Sequence, residues 1–444
     1  MNGLPELIKG PVVLPGDPGW DSARGAWHLL ADQQPVAVVQ AADADDIVAA
    51  VRYARDHGLT VSAQPIGHGA TPAVNGTILL RTGALTGIEI DLAADVVHVG
   101  AGVRWHDLNH ALTDTGTTSL PGSSGGTTVV GYTLGGGLSW FGRKYGLAAN
   151  HVRSFRVVTA SGELMHVTRE SDPDLFWALR GGGGDFAIVI SMELELMPAA
   201  EIQGGRMMWP IEQARPVLRA FAEITAYAPE ELSLWAWVLH FPDVPFVPEQ
   251  VRGQSFAVVD CTFLGSADDA AKLLAPLRVV AEPVSDTVAP IPLRELGSIA
   301  QEPEDPMPAL LKTVMLSSFE DAAIDALLKV AAPGSPLFAF EVRHLGGALA
   351  RPDESQGAAG VIDEPYLLLF GGFVPDPALG PVVGAAIERV QTTMAPWITG
   401  RALPNFSAGE PNAALYPAGI HDRLVAIKQA VDPAGTIRGN HPVS

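Results

Sequence analysis

Three glycine-rich segments in the first half of the chain carry the residues best suited to hold a cofactor. Residues 64–70 place His68 between two glycines, residues 122–146 include three consecutive glycines, and residues 180–186 include four. Glycine lets the backbone approach a ligand closely, and successive exposed N–H groups form a concavity that binds anions. One such run is typical of a tight turn, but three runs beside predicted strands favour an extended cofactor that bears phosphate.

The same sequence excludes other nucleotide and metal signatures. Gly100 and Gly102 follow a predicted strand, but Trp105 stands where a dinucleotide-binding fingerprint needs a third glycine for close helix packing. No glycine loop ends in Gly-Lys-Ser or Gly-Lys-Thr, so a phosphate-binding loop of the nucleotide triphosphatase type is excluded. His106 and His110 have the spacing of a helical metal pair, but no third ligand is near. We therefore favour two solvated histidines and predict no metal site.

The elements that must position these segments fall into two regimes. Up to about residue 198, short β-branched runs alternate with glycine turns, and a strand at 35–39 before a helix at 44–57 gives a βαβ-like opening. Beyond it, two blocks repeat a strand, an amphipathic helix and further strands, which indicates an antiparallel sheet covered by helices on one face. Proline-rich residues 302–306 are predicted as a surface loop. The predicted helices are 211–227, 267–279, 318–331 and 380–394, and the predicted strands are 232–241, 255–264, 336–345 and 366–373. The fold class is α+β.

Charge and composition exclude several classes of partner. The 444 residues carry 28 Lys and Arg against 49 Asp and Glu, a formal net charge of −21 that would repel nucleic acid and anionic membranes. Cys261 is the one cysteine, so an internal disulfide and a Cys-rich metal site are excluded. No signal peptide and no run of ~18 apolar residues is visible. We expect a cytoplasmic protein that acts on a small molecule.

Several motifs follow one another in a recognisable order: PGDPGWDSARGAWH (15–28), the His68 loop, the glycine run at 135–137, DPDLFWALRGGGGDF (172–186) and RLVAIKQAVDPAGTIRGNH (423–441). Together they resemble the FAD-linked oxidases of the vanillyl-alcohol oxidase and p-cresol methylhydroxylase superfamily, in its berberine-bridge-enzyme-like branch. The resemblance covers nearly the whole chain and implies the two-domain fold of that superfamily. The implied parts are an FAD domain (1–198), a substrate domain (199–400) and a closing segment (401–444) that returns to the FAD domain.

The resemblance implies FAD held by one covalent bond between its 8α-methyl carbon and His68. Plant enzymes of the branch add a second bond from a cysteine, and Ser124 occupies that place here, so a doubly linked flavin is excluded. An imidazole substituent should raise the flavin's potential and help it accept hydride. The residues assigned to the cofactor are Pro65, Ile66, Gly67, His68, Gly69, Ala70, Gly122, Ser123, Ser124, Thr127, Thr128, Gly131, Tyr132, Gly135, Gly136, Gly137, Asn150, Val152, Gly184, Ile188, Ile190, Asn405 and Phe406.

Two of these residues are also implied in the reaction. Tyr132 falls where the family places a residue at the N1–C2=O edge of the flavin, and a hydroxyl donor is suitable there because negative charge develops on reduction. Thr127 falls where a small residue controls oxygen access, and threonine is small enough to admit O2.

The family's usual proton acceptors are missing. Phe406 follows Asn405 where the family has a tyrosine, and Arg351 stands where plant enzymes carry a glutamate. Strand alternation puts Glu341 and Arg343 on one face and His344 on the other, so only one set can reach a substrate. His344 is equally well explained as a hydrogen-bonded core histidine. The candidates that remain are Glu341, Arg343, His344 and Tyr366.

The activity implied is an FAD-dependent oxidase. It would pass hydride from a small, largely apolar or aromatic metabolite to flavin and then to O2, giving H2O2, in secondary-metabolite tailoring. Two alternatives stay open. One is an oxygenating flavoenzyme, which the polar Thr127 would suit. The other is a redox-silent FAD-fold protein used for binding or non-redox cyclisation, suggested by Phe406 and Arg351.

Overall fold

A small mixed sheet opens the chain and positions the first glycine segment. The computed structural model describes residues 1, 3–243, 247–407 and 409–443. Its first elements are β1 (Val12–Val13), α1 (Trp20–Arg24), β2 (Ala37–Gln40), α2 (Ala44–Asp56), β3 (Val61–Ala63) and β4 (Ile78–Arg81). The strand order is β1-β2-β4-β3, and β4 pairs in parallel with both β2 and β3. Helix α2 begins after Asp43, whose carboxylate accepts the N–H groups of Asp45 and Asp46.

A second, antiparallel sheet carries the other two glycine segments. Its strand order is β5-β6-β10-β8-β9. Helices α4 and α5 hold the glycine run at 135–137 between them, and the third glycine segment links α6 to β10. The elements of this part are β5 (Ile88–Asp91), β6 (Val96–Gly100), α3 (Trp105–Leu112), β7 (Thr117–Thr118), α4 (Val129–Leu134), α5 (Gly142–Tyr145), β8 (Val152–Val158), β9 (Leu164–Val167), α6 (Pro173–Leu179), β10 (Ile188–Glu195) and β11 (Met197–Pro198).

The large third sheet is antiparallel, in the order β15-β12-β14-β13-β18-β19-β17, with β16 beside β12. Helices α7 to α10 pack on one face, against alternate strand residues such as Ala236, Phe340, Val342 and Leu368. Side chains on the other face, such as Trp235 and Val258, share a core with the second sheet. The elements are β12 (Ile202–Pro210), α7 (Ala214–Thr225), β13 (Leu232–His240), β14 (Ser255–Leu264), α8 (Ala267–Val280), β15 (Ser285–Asp286), β16 (Ala289–Pro290), β17 (Ala309–Leu316), α9 (Asp321–Val330), β18 (Ala339–His344), β19 (Tyr366–Phe373) and α10 (Gly380–Met394).

The end of the chain returns to the first two sheets. Helix α11 (Ala418–Val431) packs on α6, and Ile437 bridges in parallel to Val61 beside the small sheet. A partly buried lysine fixes this return: Lys428 Nζ donates to the carbonyl of Asp185 at 2.6 Å and to Asp432 Oδ2 at 2.8 Å. Residues 438–441 are thereby held against the first and third glycine segments.

The predicted α+β class is confirmed by these sheets and helices. Within the described residues, none of the helices combines the length and the apolar character that a bilayer crossing requires.

Candidate active site

A cavity of about 670 Å³ lies between the glycine segments and the open face of the third sheet. One side, the loop wall, is formed by residues from 64–70, 122–135, 182–184 and 438–441. The other side, the sheet wall, is formed by residues of β12, β13, β17, β18 and β19, mainly on the face of the third sheet opposite its packed helices. The volume is in the range of small-molecule sites. Glycine backbone therefore faces a sheet surface across the cavity.

His68 is fixed at the loop wall by its neighbours. Its ring stacks on Trp27 with centroids 4.5 Å apart and planes inclined by 14°. Arg81 Nη1 holds the start of the loop through the carbonyl of Gln64 at 2.9 Å. Gly67 adopts a positive φ of 90°, where a Cβ would also lie 2.8 Å from Gln64 Oε1. Burial, reinforced by the charge of Arg104, lowers the pKa of His68 to about 4, so the imidazole is neutral at pH 7 and its nitrogens can act as nucleophiles.

Tyr132 brings an unsatisfied hydroxyl to the same wall. Its ring is packed edge-on against Trp105, with centroids 5.2 Å apart. A Cβ at Gly122 or Gly137 would lie within 2.9 and 2.7 Å of the ring, so both positions require glycine. The hydroxyl has no hydrogen-bond partner among the described residues, and burial raises its pKa well above 10. A buried donor left unpaired costs about 1–3 kcal/mol, so this site fits a ligand that offers an acceptor.

Asn405 and Thr127 hold the glycine segment in shape. The side chain of Asn405 donates to the carbonyl of Tyr132 at 2.9 Å and accepts the N–H of Gly137 at 2.7 Å. A Cβ on Gly135 would lie 2.6 Å from Asn405 Nδ2. The hydroxyl of Thr127 donates to the carbonyl of Ser124 at 3.1 Å. Both residues also line the cavity.

Glu341 and Arg343 lie two residues apart on β18 and project from the sheet wall. Arg343 Nε and Nη2 donate to the two oxygens of Glu341 at 2.8 and 3.1 Å. The guanidinium lies over the ring of Trp235 at 3.9 Å and over Phe406 at 5.3 Å. Burial raises the pKa of Glu341 to about 7, while the charge of Arg343 opposes the rise. The carboxyl group can therefore gain or lose a proton near neutral pH.

The structure corrects two candidate catalytic residues. His344 and Tyr366 lie on the helix-covered face of the third sheet and not in the cavity lining. His344 Nε2 contacts Arg143 Nη1 at 2.9 Å, and the Tyr366 hydroxyl shares a hydrogen bond with Thr225 at 2.7 Å. Burial and Arg143 lower the pKa of His344 to about 2. Tyr366 thereby ties α7 to the sheet, and His344 joins the sheet to Arg143 of α5.

Six residues assigned to the cofactor also lie outside the lining. The side chains of Ile188 and Ile190 pack into the core of the small sheet, whereas their neighbours Ala187 and Val189 face the cavity. Asn150 accepts the N–H of Gly357 at 3.0 Å. The others are Val152, which is buried in β8, and Gly136 and Gly137, which turn the chain. The lining does include the assigned residues Pro65, Ile66, Gly67, His68, Gly69, Ala70, Gly122, Ser123, Ser124, Thr127, Thr128, Gly131, Tyr132, Gly135, Gly184, Asn405 and Phe406.

The cavity also contains residues that the sequence did not single out. Arg206 and its partner Asp260 are charged residues inside otherwise apolar strands. That position in the sequence could have marked both as candidates for the site. Glu302 was not predicted to line a site, because the proline-rich residues 302–306 were predicted to form a surface loop. Other lining residues that were not predicted individually include Trp27, Tyr416 and residues 438–441. They lie in or near the motifs at 15–28 and 423–441, which carried the family resemblance without assigning a role to each residue.

Comparison with known proteins gives consistent matches. The sequence model of the family described as "FAD binding domain" matches residues 35–168, a range that includes His68, Thr127 and Tyr132. (R)-6-hydroxynicotine oxidase of Paenarthrobacter nicotinovorans is 28% identical over 461 residues, which span 99% of this chain and 97% of that protein. An FAD-dependent monooxygenase of Fusarium proliferatum is 33% identical over 236 residues, 52% of this chain and 44% of that protein. The crystal structure of 6-hydroxy-D-nicotine oxidase from Arthrobacter nicotinovorans matches with a TM-score of 0.86 at 23% identity, covering 98% of both chains. The two chains share one fold.

Proposed function

We infer that the chain belongs to the FAD-linked oxidoreductases of the vanillyl-alcohol oxidase and p-cresol methylhydroxylase superfamily, in its berberine-bridge-enzyme-like branch. From this premise we propose that it is an oxidase of a small, largely apolar or aromatic metabolite. One observation carries the proposal. His68 and Tyr132 belong to the loop wall of the cavity, and Glu341 belongs to the sheet wall. When bound, FAD supplies a two-electron acceptor that takes up hydride and is reoxidised by O2 to give H2O2.

The loop wall fits FAD. The glycine segments offer close backbone approach, and the orphaned Tyr132 hydroxyl offers a donor to the cofactor's carbonyl edge. The neutral imidazole of His68 suits a single covalent bond to the 8α-methyl carbon. Ser124 lines the cavity where a plant enzyme would carry a cysteine, and it has no thiol to form a second bond.

Tyr132 stabilises developing negative charge in this proposal. Because its pKa is raised by burial, the phenol stays protonated and remains a donor at working pH. A donor that is fixed by packing before the reaction loses no reorganisation energy when charge appears beside it. Thr127 would leave oxygen access open, since its small side chain is tied back to Ser124.

Glu341 is the proposed proton acceptor. As hydride leaves a substrate carbon, the proton on the adjacent oxygen or nitrogen moves to the carboxylate, and a C=O or C=N bond forms. A base with a pKa of about 7 is matched to neutral pH. Phe406, at the position of the family's tyrosine, offers no proton acceptor. Arg343 holds the carboxylate in one orientation through two hydrogen bonds.

The proposal also divides the chain by task. Residues 1–198 with 401–444 would hold the cofactor and residues 199–400 the substrate, since the loop wall comes from the former and Glu341 from the latter. The physiological role proposed is tailoring of a secondary metabolite, as the family resemblance implies.

An oxygenating enzyme is the second candidate. It is favoured by the 33% identity to a protein named as an FAD-dependent monooxygenase and by the hydroxyl of Thr127 at the cavity. The two functions differ in the fate of O2. An oxidase returns one H2O2 for each O2 consumed, and an oxygenase places oxygen in the product.

The test begins with acid precipitation of the purified yellow protein. We expect the flavin to stay in the pellet, bleaching of the flavin when a substrate is added without air, and H2O2 equal to the O2 consumed when air returns. A colourless protein that takes up no added FAD would refute the flavoenzyme. Bleaching followed by O2 uptake without H2O2 would favour the oxygenase.

A further inference from the structure

Five ionisable side chains lie on or beside the sheet wall. Arg206 lies on β12, Asp260 on β14, and Glu341 and Arg343 on β18, while Glu302 comes from the segment before β17. All of them except Asp260 line the cavity. Three carboxyl groups therefore face two guanidinium groups.

Four of the five form two closed pairs. Arg206 donates to both oxygens of Asp260 at 2.6 and 2.8 Å, and Arg343 donates to both oxygens of Glu341 at 2.8 and 3.1 Å. These four side chains are at most 6% exposed. Two-point pairing of this kind engages both oxygens of each carboxylate with one guanidinium.

Glu302 is the remaining charge. Its ion pair with Arg343 spans 3.6 Å, beyond hydrogen-bonding distance, and its side chain is 27% exposed. Because Arg343 already donates to both oxygens of Glu341, it does not complete the coordination of Glu302. The Glu302 carboxylate therefore keeps acceptor sites that a cationic group in the cavity can occupy.

The backbone around Glu302 is held on both sides. Arg206 Nη2 donates to the carbonyl of Ala300 at 2.7 Å, which ties the segment to the sheet. Trp27 Nε1 donates to the carbonyl of Glu304 at 2.9 Å, and the N–H of Met307 donates to the carbonyl of Trp27 at 3.1 Å. Since Trp27 also stacks on His68, the segment is anchored to both walls and presents Glu302 at a defined place.

The rest of the cavity lining on the side of the third sheet is mainly apolar, although His240 also contributes. The apolar side chains include Leu239, Phe241, Phe338, Leu369 and Phe373. A ligand that fits must bury a hydrocarbon or aromatic body there and offer a cation to the incompletely paired carboxylate. The net charge of −21 acts in the same direction, because it attracts cations and repels anions.

We propose that Glu302 determines specificity by binding the protonated amine of an otherwise apolar substrate. The inference rests on the proposed function and narrows its substrate class to amines. Glu302 recognises the substrate, and Glu341 remains the proton acceptor.

The test is calorimetric titration of the FAD-loaded protein, without air and near neutral pH, with benzylamine, benzyl alcohol and benzoate. These probes share a ring and differ in charge. We expect benzylamine to bind about 10- to 100-fold more tightly than benzyl alcohol, the range of one charge-assisted hydrogen bond, and benzoate to bind most weakly. E302Q should abolish the preference for the amine and leave the affinity for benzyl alcohol unchanged.

E304Q is the matched control, since it removes the same charge from an exposed side chain of the same segment. It should bind all three probes as the unmodified protein does. The proposal is overturned if the unmodified protein does not prefer benzylamine, if the preference survives in E302Q, or if E304Q loses it equally. Binding needs no turnover, so Glu302-dependent binding without flavin bleaching by any amine would refute only the oxidase. Bleaching by amines with unchanged affinity in E302Q would refute only the role of Glu302.

Discussion

Replacing Glu341 by glutamine should remove both the proton acceptor and the pH dependence of the reaction. Burial raises the pKa of this carboxyl group to about 7, so roughly a tenth of it is ionised at pH 6 and about nine tenths at pH 8. If the ionised form is required, kcat/KM should rise nearly tenfold over that interval and then level off. Glu341→Gln should lower kcat/KM by about 10²- to 10⁴-fold, the usual contribution of a general base, and should show no limb near pH 7.

The same pKa has a consequence for stability. The folded protein holds this proton more tightly than the unfolded chain, because burial lifts the pKa from its ordinary 4.5 to about 7. The stabilisation from the protonated group is complete below about pH 4.5 and is lost as the pH rises through 7. A difference of this size corresponds to about 3 kcal/mol. The free energy of unfolding should therefore fall more steeply from pH 5 to pH 8 in the unmodified protein than in Glu341→Gln.

The assay is anaerobic bleaching of the flavin in single turnover, followed across this pH range, with H2O2 formation as the steady-state measure. Glu304→Gln supplies the control for a loss of charge alone. Glu341→Asp keeps a carboxyl group one methylene shorter and should retain the pH limb at a reduced rate. Glu341→Asp also replaces Glu341→Gln as the test variant if a glutamine beside Arg343 impairs folding. Should the limb near pH 7 persist in Glu341→Gln, or the rate fall by less than about tenfold, the carboxyl group is not the proton acceptor.

The sequence predicted most accurately the helices and strands whose apolar periodicity ends at residues that interrupt regular structure. Strands 255–264 and 366–373 and helix 380–394 have the predicted limits in the structure, because an apolar face and flanking Gly, Pro or Asp residues agree there. The strand predicted at 336–345 begins only at Ala339 and ends at His344. Pro336 has no N–H for the ladder, and Gly346 adopts a positive φ of 84°.

The parts of the candidate site that depend on local sequence patterns could be predicted from the sequence. Glycine runs beside strands indicated the loop wall, and strand alternation separated Glu341 and Arg343 from His344. Local sequence patterns do not show which residue each polar side chain contacts in the folded protein. His344 lies beside Arg143, which is 201 positions away, and Glu302 is presented by a segment tied to Trp27, which is 277 positions from Glu304. A histidine in a strand and a glutamate in a proline-rich loop are ambiguous until such contacts are known.

Three further substitutions have defined outcomes. His68→Ala should release the flavin into the supernatant on acid precipitation, and flavin retained in the pellet would place the covalent bond elsewhere. Tyr132→Phe should stabilise the FAD-free protein by about 1 kcal/mol, because the unpaired hydroxyl is gone, while weakening FAD binding. The thermal midpoint of the FAD-free protein should therefore rise and that of the FAD-loaded protein should fall. A shift of both midpoints in the same direction would contradict this prediction. Lys428→Met removes the partly buried ammonium that donates to Asp432 at 2.8 Å and so leaves that fully buried carboxylate without its cation. We expect a loss of about 3–5 kcal/mol in urea unfolding, together with faster proteolysis at the closing segment. Lys272→Met is the control, because its ion pair on α8 is exposed and is worth at most about 1 kcal/mol. Equal losses in the two variants would mean that Lys428 does not hold the closing segment against the loop wall.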